Sequence, residues 1–207
     1  MFNKKNVNID FDFFFFSWIV LLLSIIKGYQ KPFFSFYLFT RQTVLLINLY
    51  FLTKLLFKQK NKYFLFICAL DSLMMMIIYF KNENRFLLAQ RTHFQFLVSV
   101  LEHYFLTTIF LFYYLIIDKT FLKFKNFYIG TIHLLVYFIT SLYFGKKYHY
   151  YPYDFLNPYN RFFWFKTTVL SFLTILMSFF LIYIKRKKLN FQFLKNKIIS
   201  NKSKKIF

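Results

Sequence analysis

Between Phe94 and Ile117 the chain reads FQFLVSVLEHYFLTTIFLFYYLII, in which Glu102 is the one acidic residue and His103 follows it directly. The hydrocarbon layer of a bilayer is ~30 Å thick, and roughly 20 apolar residues in a helix cross it. Lipid cannot satisfy backbone hydrogen-bonding groups, so a spanning segment must bond within itself as a helix. The run therefore predicts a membrane-spanning helix with two polar groups inside it.

Five further apolar runs flank this segment along the chain. We predict spans at Phe11–Ile26, Phe33–Phe57, Tyr63–Phe80, Phe94–Ile117, Phe127–Phe144 and Phe162–Ile184. Hydrophobic residues make up 58% of the 207 positions, which is too much apolar surface for a soluble domain of this size to bury. The expected fold is all-α: a polytopic membrane helix bundle with six transmembrane helices over residues 1–184, followed by a basic cytoplasmic tail at 185–207.

Composition also indicates the partners of the chain. The net charge is +21, but the lysines and arginines lie mainly between the apolar runs and in the tail. Membrane lipids are therefore the expected anionic partner, and nucleic acid is not. Cys68, the single cysteine, lies inside the third predicted span and cannot form an intramolecular disulfide, so no metal site and no cofactor is predicted.

The distribution of cations predicts the orientation. With six spans the two termini share a side, and the segments on that side carry 17 lysines and arginines against 8 on the other. Cytoplasmic loops are richer in these residues, so both termini are expected in the cytoplasm. The composition tracks codons rich in A and T and so indicates an A/T-rich genome. The expected location is the plasma membrane of a bacterium with such a genome, with the mitochondrial inner membrane as the alternative. The cluster Lys185–Lys188 is interpreted as a stop-transfer anchor.

Polar residues within the predicted spans are the candidates for function. They are Thr40, Arg41, Gln42, Asn48, Asp71, Glu102, His103 and His133. An Arg or Asp at the centre of a transmembrane helix costs about 2.5 to 3.5 kcal/mol on insertion scales, so such groups usually face the interior of the bundle and pair with one another.

Depth in the membrane groups four of these residues. At 1.5 Å per residue from the outer face, Thr40 and His103 both lie about 10 to 14 Å deep. Arg41 and Glu102 share that level and are expected to neutralise each other. Taken singly, Thr40 would more often bond its own helix, His103 would more often pack between helices, and the Arg41–Glu102 pair would more often be structural.

Two further residues lie at other depths. Asp71 is expected near the middle of the membrane, running in the opposite direction within the third span. His133 is expected about 9 Å from the inner face, apart from the other polar residues. We interpret His133 as a packing residue and Asp71 as a supporting member of the polar group.

Two motifs carry a resemblance to a known family. Residues 35–46 read SFYLFTRQTVLL, and residues 150–158 read YYPYDFLNP. The first resembles an F-x-x-F-T-x-x-(S/T)-N signature, and the second resembles a W-Y-P-Y-x-F-L-(D/N)-P loop. Both belong to bacterial Pr6Pr-type six-helix membrane proteins, which are similar to the eukaryotic androgen-induced and androgen-dependent membrane protein family. The Leu101-Glu102-His103 stretch lies where that family carries its histidine.

The resemblance implies an activity. Members of the eukaryotic branch hydrolyse fatty acid esters of hydroxy fatty acids within the membrane, with a threonine nucleophile and a histidine base. On this chain the resemblance assigns these roles to Thr40 and His103, and Arg41 or Glu102 would orient the pair or stabilise the oxyanion. The loop residues Tyr151, Pro152 and Tyr153 are expected to roof the site partly.

Alternatives to an intramembrane lipid ester hydrolase remain open at this stage. The second class is a structural or accessory subunit of a larger membrane complex, in which buried polar groups only hold helices together, although the Tyr-Pro-Tyr loop favours the first. A transporter is a third class, which the lack of internal repeats and the scarcity of Gly and Pro make less favoured.

The orientation can be tested by cysteine accessibility. With single cysteines introduced at Lys4, Asn157 and Ser203, an impermeant thiol reagent added outside intact cells should label Asn157→Cys alone. Labelling of Ser203→Cys from outside would reverse the orientation.

Overall fold

The computed structural model describes residues 4–28, 36–58, 60–88 and 92–203, and these are helical apart from short connections. The helices are α1 (Lys4–Lys27), α2 (Phe39–Phe57), α3 (Lys62–Leu88), α4 (His93–Ile117), α5 (Phe124–Tyr148) and α6 (Phe163–Ser203). No strand occurs within the described ranges, which confirms the all-α prediction. The predicted start of the second span, residues 33–35, lies outside them.

Five of the six helices are long and apolar enough to cross a membrane, judged by length and composition. These segments are Ile9–Lys27, Lys62–Tyr79, His93–Ile117, Phe124–Tyr148 and Phe163–Lys188. The helix α2 is not among them, because Arg41, Gln42, Asn48 and Lys54 lower its hydropathy. The sequence prediction of six spans is thus matched by composition at five of its six places.

The third helix forms the centre of the bundle. It packs against α2, α4, α5 and α6, and α1 packs against α2 on the outside. Phe66 and Leu70 of α3 are fully buried. Gly130 at the start of α5 makes the close approach of α5 to α3 feasible, since a Cβ at that position would lie 2.8 Å from side-chain atoms of both residues.

Two buried ion pairs hold the end of the bundle that contains the start of α1 and the end of α4. Asp10 of α1 accepts a hydrogen bond from Lys54 of α2 at 2.6 Å and another from the Tyr113 hydroxyl of α4 at 2.7 Å. Lys185 of α6 donates to Asp118, which directly follows α4, at 3.1 Å. We call this end, defined by these five residues, the clamp end.

Lys185 therefore does not act as a headgroup-facing cation. Its residue surface is 1% exposed, and its ammonium lies 3.7 Å from the centre of the Tyr114 ring. The helix α6 continues without a break to Ser203, so the boundary predicted between bundle and tail at residue 184 falls inside a helix. Lys185 neutralises Asp118, whose buried carboxylate would be costly without a counter-charge.

The opposite end of the bundle carries the segment 149–162 between α5 and α6, and we call it the loop end. The helix α5 ends at His149, whose left-handed φ of 51° reverses the chain. The Tyr151 ring then packs directly onto Gly145, where a Cβ would collide with the ring. This contact sets how closely the loop approaches α5.

Replacing Gly145 with alanine tests that contact. The added methyl group should force the Tyr151 ring away and destabilise the protein by about 1–3 kcal/mol, the usual cost of overpacking. Unfolding of the purified protein in detergent measures the loss. The double variant Gly145→Ala/Tyr151→Leu should recover most of the stability, and a double variant no better than the single one would contradict the role given to the ring.

Candidate functional site

Two consecutive polar residues of the fourth helix, Glu102 and His103, both point into the bundle. Their residue surfaces are 2% and 8% exposed, although neighbours in a regular α-helix point about 100° apart. The segment Leu101–Phe105 is a π turn, which adds a residue to the turn and changes the register. The Thr107 hydroxyl donates to the His103 carbonyl at 2.5 Å within this widened turn. Turns of this kind occur frequently at functional sites.

Glu102 lies between two cations from two other helices. One carboxylate oxygen accepts a hydrogen bond from Arg41 Nε of α2 at 3.1 Å, and the other accepts one from Lys27 Nζ of α1 at 3.2 Å. Lys27 also donates to the Ser99 hydroxyl at 2.5 Å. The predicted pairing of Arg41 with Glu102 is confirmed. We call Lys27, Arg41, Ser99 and Glu102 the Glu102 cluster.

Thr40 and His103 line the same small cavity at the loop end. The cavity has a volume of about 10 Å³ and lies between α2, α3, α4 and the loop. Its lining consists of Phe39, Thr40, Met75, Ile78, Tyr79, His103 and Tyr153, and we call it the Thr40 pocket. A volume of this size is roughly that needed by one water molecule, or by one small oxygen group. The two candidate residues therefore share one site, as the depth argument expects.

The contacts of the two helices fix the side chains around the pocket. Thr43, not Thr40, makes the bond to its own helix that is typical of threonine, from its hydroxyl to the Phe39 carbonyl at 3.0 Å. The His103 ring stacks on the Tyr79 ring with centroids 4.0 Å apart and planes 13° apart. The stacking holds the imidazole at the wall of the pocket.

A second, larger cavity adjoins the Thr40 pocket. It has a volume of about 240 Å³ and is lined mainly by apolar side chains of α5 and α6, among them Leu134, Phe138 and Leu170. Phe39, Ile78 and Tyr153 line both cavities. We call this larger space the apolar chamber. Because it shares lining residues with the Thr40 pocket, an apolar cavity lies beside a polar one.

Of the three loop residues expected over the site, Tyr153 lines both cavities. Burial raises the pKa of the Tyr153 hydroxyl to about 12, and hydrogen bonding with Thr40 holds that pKa below what burial alone would give. Tyr151 packs on Gly145, as described above, and Pro152 is half-buried. Phe155 and Leu156, which follow in the same loop, complete the wall of the apolar chamber.

Asp71 belongs to a separate group that joins three helices. Its Oδ2 lies 2.6 Å from His133 Nδ1 of α5, and His133 Nε2 lies 3.2 Å from Gln42 Oε1 of α2. The Gln42 amide group donates to the Phe36 carbonyl at 3.1 Å, which directs its oxygen towards the histidine. His133 Nε2 is therefore the donor to Gln42, and this nitrogen cannot also accept a proton from a nucleophile. An aspartate–histidine pair here ties helices together.

The expected separation of His133 from the other polar residues is wrong. The depth of about 9 Å assumed a regular helix from Phe127, at 1.5 Å per residue. In the structure Phe124–Thr131 is a 3₁₀ segment with non-helical backbone at Asn126, so a regular helical rise does not apply to the start of α5. His133 contacts Asp71 and Gln42.

Sequence reasoning missed several ionic residues that form pairs inside the bundle. Asp10, Lys54, Asp118 and Lys185 are buried, and Lys27 is partly buried. Most of them were placed in the termini and loops because they fall at the margins of the apolar runs. The composition contained a usable signal for these pairs. The chain has seven acidic residues and 28 lysines and arginines, so an acid near the hydrocarbon layer readily finds a cation. Among the described residues no group of three or more His, Cys, Asp or Glu is placed to hold a metal ion.

Comparison of the chain with models of protein families, with curated proteins and with solved structures finds no match in any of the three.

We expect substitutions of different members of the Glu102 cluster to destabilise the protein by different amounts. Glu102→Gln leaves two cations without their carboxylate and should destabilise by about 3–5 kcal/mol. Arg41→Gln leaves Glu102 paired with Lys27 and should cost less, about 1–3 kcal/mol.

Unfolding in detergent measures both, and the double variant should lose less than the sum of the two single losses. An equal cost for the two single variants, or additive losses, would contradict a shared cluster.

Proposed function

We propose that this chain is a six-span integral membrane protein that hydrolyses lipid esters inside the bilayer, with Thr40 as nucleophile and His103 as base. The observation that carries the proposal is that Thr40 and His103, from α2 and α4, line one small cavity next to the apolar chamber. An ester substrate needs a polar site of atomic size for its carbonyl and an apolar slot for its chain. The two adjoining cavities meet both requirements.

The proposal counts α2 as a span although it is not one of the five helices whose composition alone indicates a membrane crossing. Its 19 residues extend about 28 Å at 1.5 Å per residue, which matches the hydrocarbon thickness. Its polar residues Arg41, Asn48 and Lys54 are all buried against neighbouring helices, so lipid does not contact them. A span that carries polar groups only on its inner side is tolerated in a bundle.

The chemistry assigns one step to each group around the Thr40 pocket. A threonine hydroxyl is a weak nucleophile, and a neutral imidazole beside it can accept its proton as the oxygen attacks the ester carbonyl. The leaving alcohol takes that proton from His103, and water then hydrolyses the acyl–threonine ester with the same base. Tyr153 is protonated at physiological pH, because its pKa is about 12, and its hydroxyl can donate to the oxyanion.

The family, orientation and location form part of the same proposal. The motifs at residues 35–46 and 150–158 and the order of the polar residues support kinship with the Pr6Pr-type proteins. The cation bias supports cytoplasmic termini, which puts the Thr40 pocket near the outer leaflet of a bacterial plasma membrane. A lipid would then enter the apolar chamber laterally from that leaflet.

Hydrolysis of a long-chain ester by the purified protein tests the proposal. Thr40→Ala and His103→Ala should each lower turnover of 4-nitrophenyl palmitate in mixed micelles by at least about a hundredfold, the scale of general-base catalysis. A fluorophosphonate probe should label the wild type and fail to label Thr40→Ala.

Thr43→Ala is the matched control, because Thr43 is also buried in α2 but bonds its own helix. Exposed His93 provides the histidine control. Turnover that survives in Thr40→Ala, or a wild type without any esterase activity or labelling, would leave the structural or accessory-subunit alternative.

A further inference from the structure

The charges at the two ends of the bundle balance differently. At the clamp end each buried cation has its own carboxylate, Lys54 with Asp10 and Lys185 with Asp118. At the loop end Lys27 and Arg41 share the single carboxylate of Glu102. Among the residues that the structure describes, the Glu102 cluster therefore carries one positive charge in excess. A buried charge without a counter-charge is costly, so this excess calls for an anion.

Arg41 shows where such an anion would bind. The residue is 3% exposed, and its Nε donates to Glu102. Its Nη1 is buried and makes no hydrogen bond within the described part of the chain. The guanidinium is a rigid fork that suits carboxylate and phosphate oxygens, so the unused arm is a donor presented to a planar or tetrahedral oxyanion.

Lys27 supplies the second contact and the route of entry. Its side chain is 15% exposed, the most accessible of the three charged groups in the cluster. It stands at the last residue of α1, at the loop end of the bundle. An anion arriving from the membrane surface would therefore meet the Lys27 ammonium before it reaches Arg41.

The cluster adjoins Thr40 and His103 along the chain. Arg41 follows Thr40 in α2, and Glu102 precedes His103 in α4. None of the four cluster residues is part of the lining of the Thr40 pocket or of the apolar chamber. The cluster is therefore separate from both cavities, and Lys27 at the end of α1 is its accessible side.

We propose that Lys27 and Arg41 form a binding subsite for the anionic end group, carboxylate or phosphate, of a single-chain lipid of the surrounding membrane. The subsite goes beyond the proposed hydrolysis, because binding there needs neither Thr40 nor His103 as a catalyst. It makes the protein selective for lipids with a charged end over neutral lipids of the same chain length.

Binding of matched amphiphiles to the full chain in nanodiscs tests this subsite. The probes are oleate, oleoyl lysophosphatidate, the neutral oleyl alcohol and inorganic phosphate, and the readouts are titration calorimetry and the unfolding temperature. Oleate or the lysophospholipid should bind at least about tenfold more tightly than the alcohol, the difference expected for a charge-assisted hydrogen bond. Phosphate alone should not compete, because it has no acyl chain to bury in the membrane or against the protein.

Variants assign the effect to the cluster. Lys27→Gln and Arg41→Gln should each weaken binding of the anionic lipid about tenfold and leave binding of the alcohol unchanged. Lys27 is partly exposed, so Lys27→Gln keeps the test informative if Arg41→Gln fails to fold. Exposed Lys146, at the same end of the bundle, provides the surface-charge control and should have no effect as Lys146→Gln.

The outcomes separate this subsite from the proposed hydrolysis. Thr40→Ala should still bind the anionic lipid with wild-type affinity even though it no longer turns over an ester. Equal affinity for oleate and oleyl alcohol, or an anion preference that survives in Lys27→Gln and Arg41→Gln, would overturn the subsite. Tight binding of phosphate that equals binding of the lysophospholipid would show a free-anion site and overturn the lipid assignment.

Discussion

A carboxylate inside an apolar bundle must be neutralised by a group from elsewhere in the chain, and this requirement organises the molecule. Asp10, Asp71, Glu102 and Asp118 are all buried, and each contacts a lysine, an arginine or a histidine on another helical segment. Because each pair joins different helices, the pairs favour one arrangement of α1, α2, α4, α5 and α6 around α3. Apolar packing alone would permit several arrangements, since lipid tails and apolar helix faces are chemically alike.

Departures from the regular α-helix allow those pairs to form. The π turn Leu101–Phe105 faces Glu102 and His103 inward together, and a second π turn, Tyr113–Ile117, does the same for Tyr113 and Tyr114. The start of α5 is a 3₁₀ segment, and His133, which follows it, contacts Asp71. In each case a local change of rise or register costs some backbone hydrogen-bond quality, and the buried polar contacts offset that cost.

The site that results combines a small polar cavity with a larger apolar one. The Thr40 pocket accommodates about one small oxygen group, and the apolar chamber beside it accommodates part of an acyl chain. The two histidines of the bundle interior differ in what they can do. His133 is held between Asp71 and Gln42 by both ring nitrogens, whereas His103 faces the pocket that Thr40 also lines. Position, more than residue type, separates a structural histidine from a candidate base.

The sequence by itself determined the all-α class, the positions of the apolar helices and the shared depth of Thr40, Arg41, Glu102 and His103. These properties follow from segment length, hydropathy and a constant rise per residue, all of which are local. The sequence does not predict the ion pairs of Lys27, Lys54 and Lys185 or the contact of His133 with Asp71, because these contacts depend on which helices meet. Only the tertiary structure decided those contacts, since the partner of a buried charge lies 44 to 75 residues away along the chain and no local pattern records which helix will supply it.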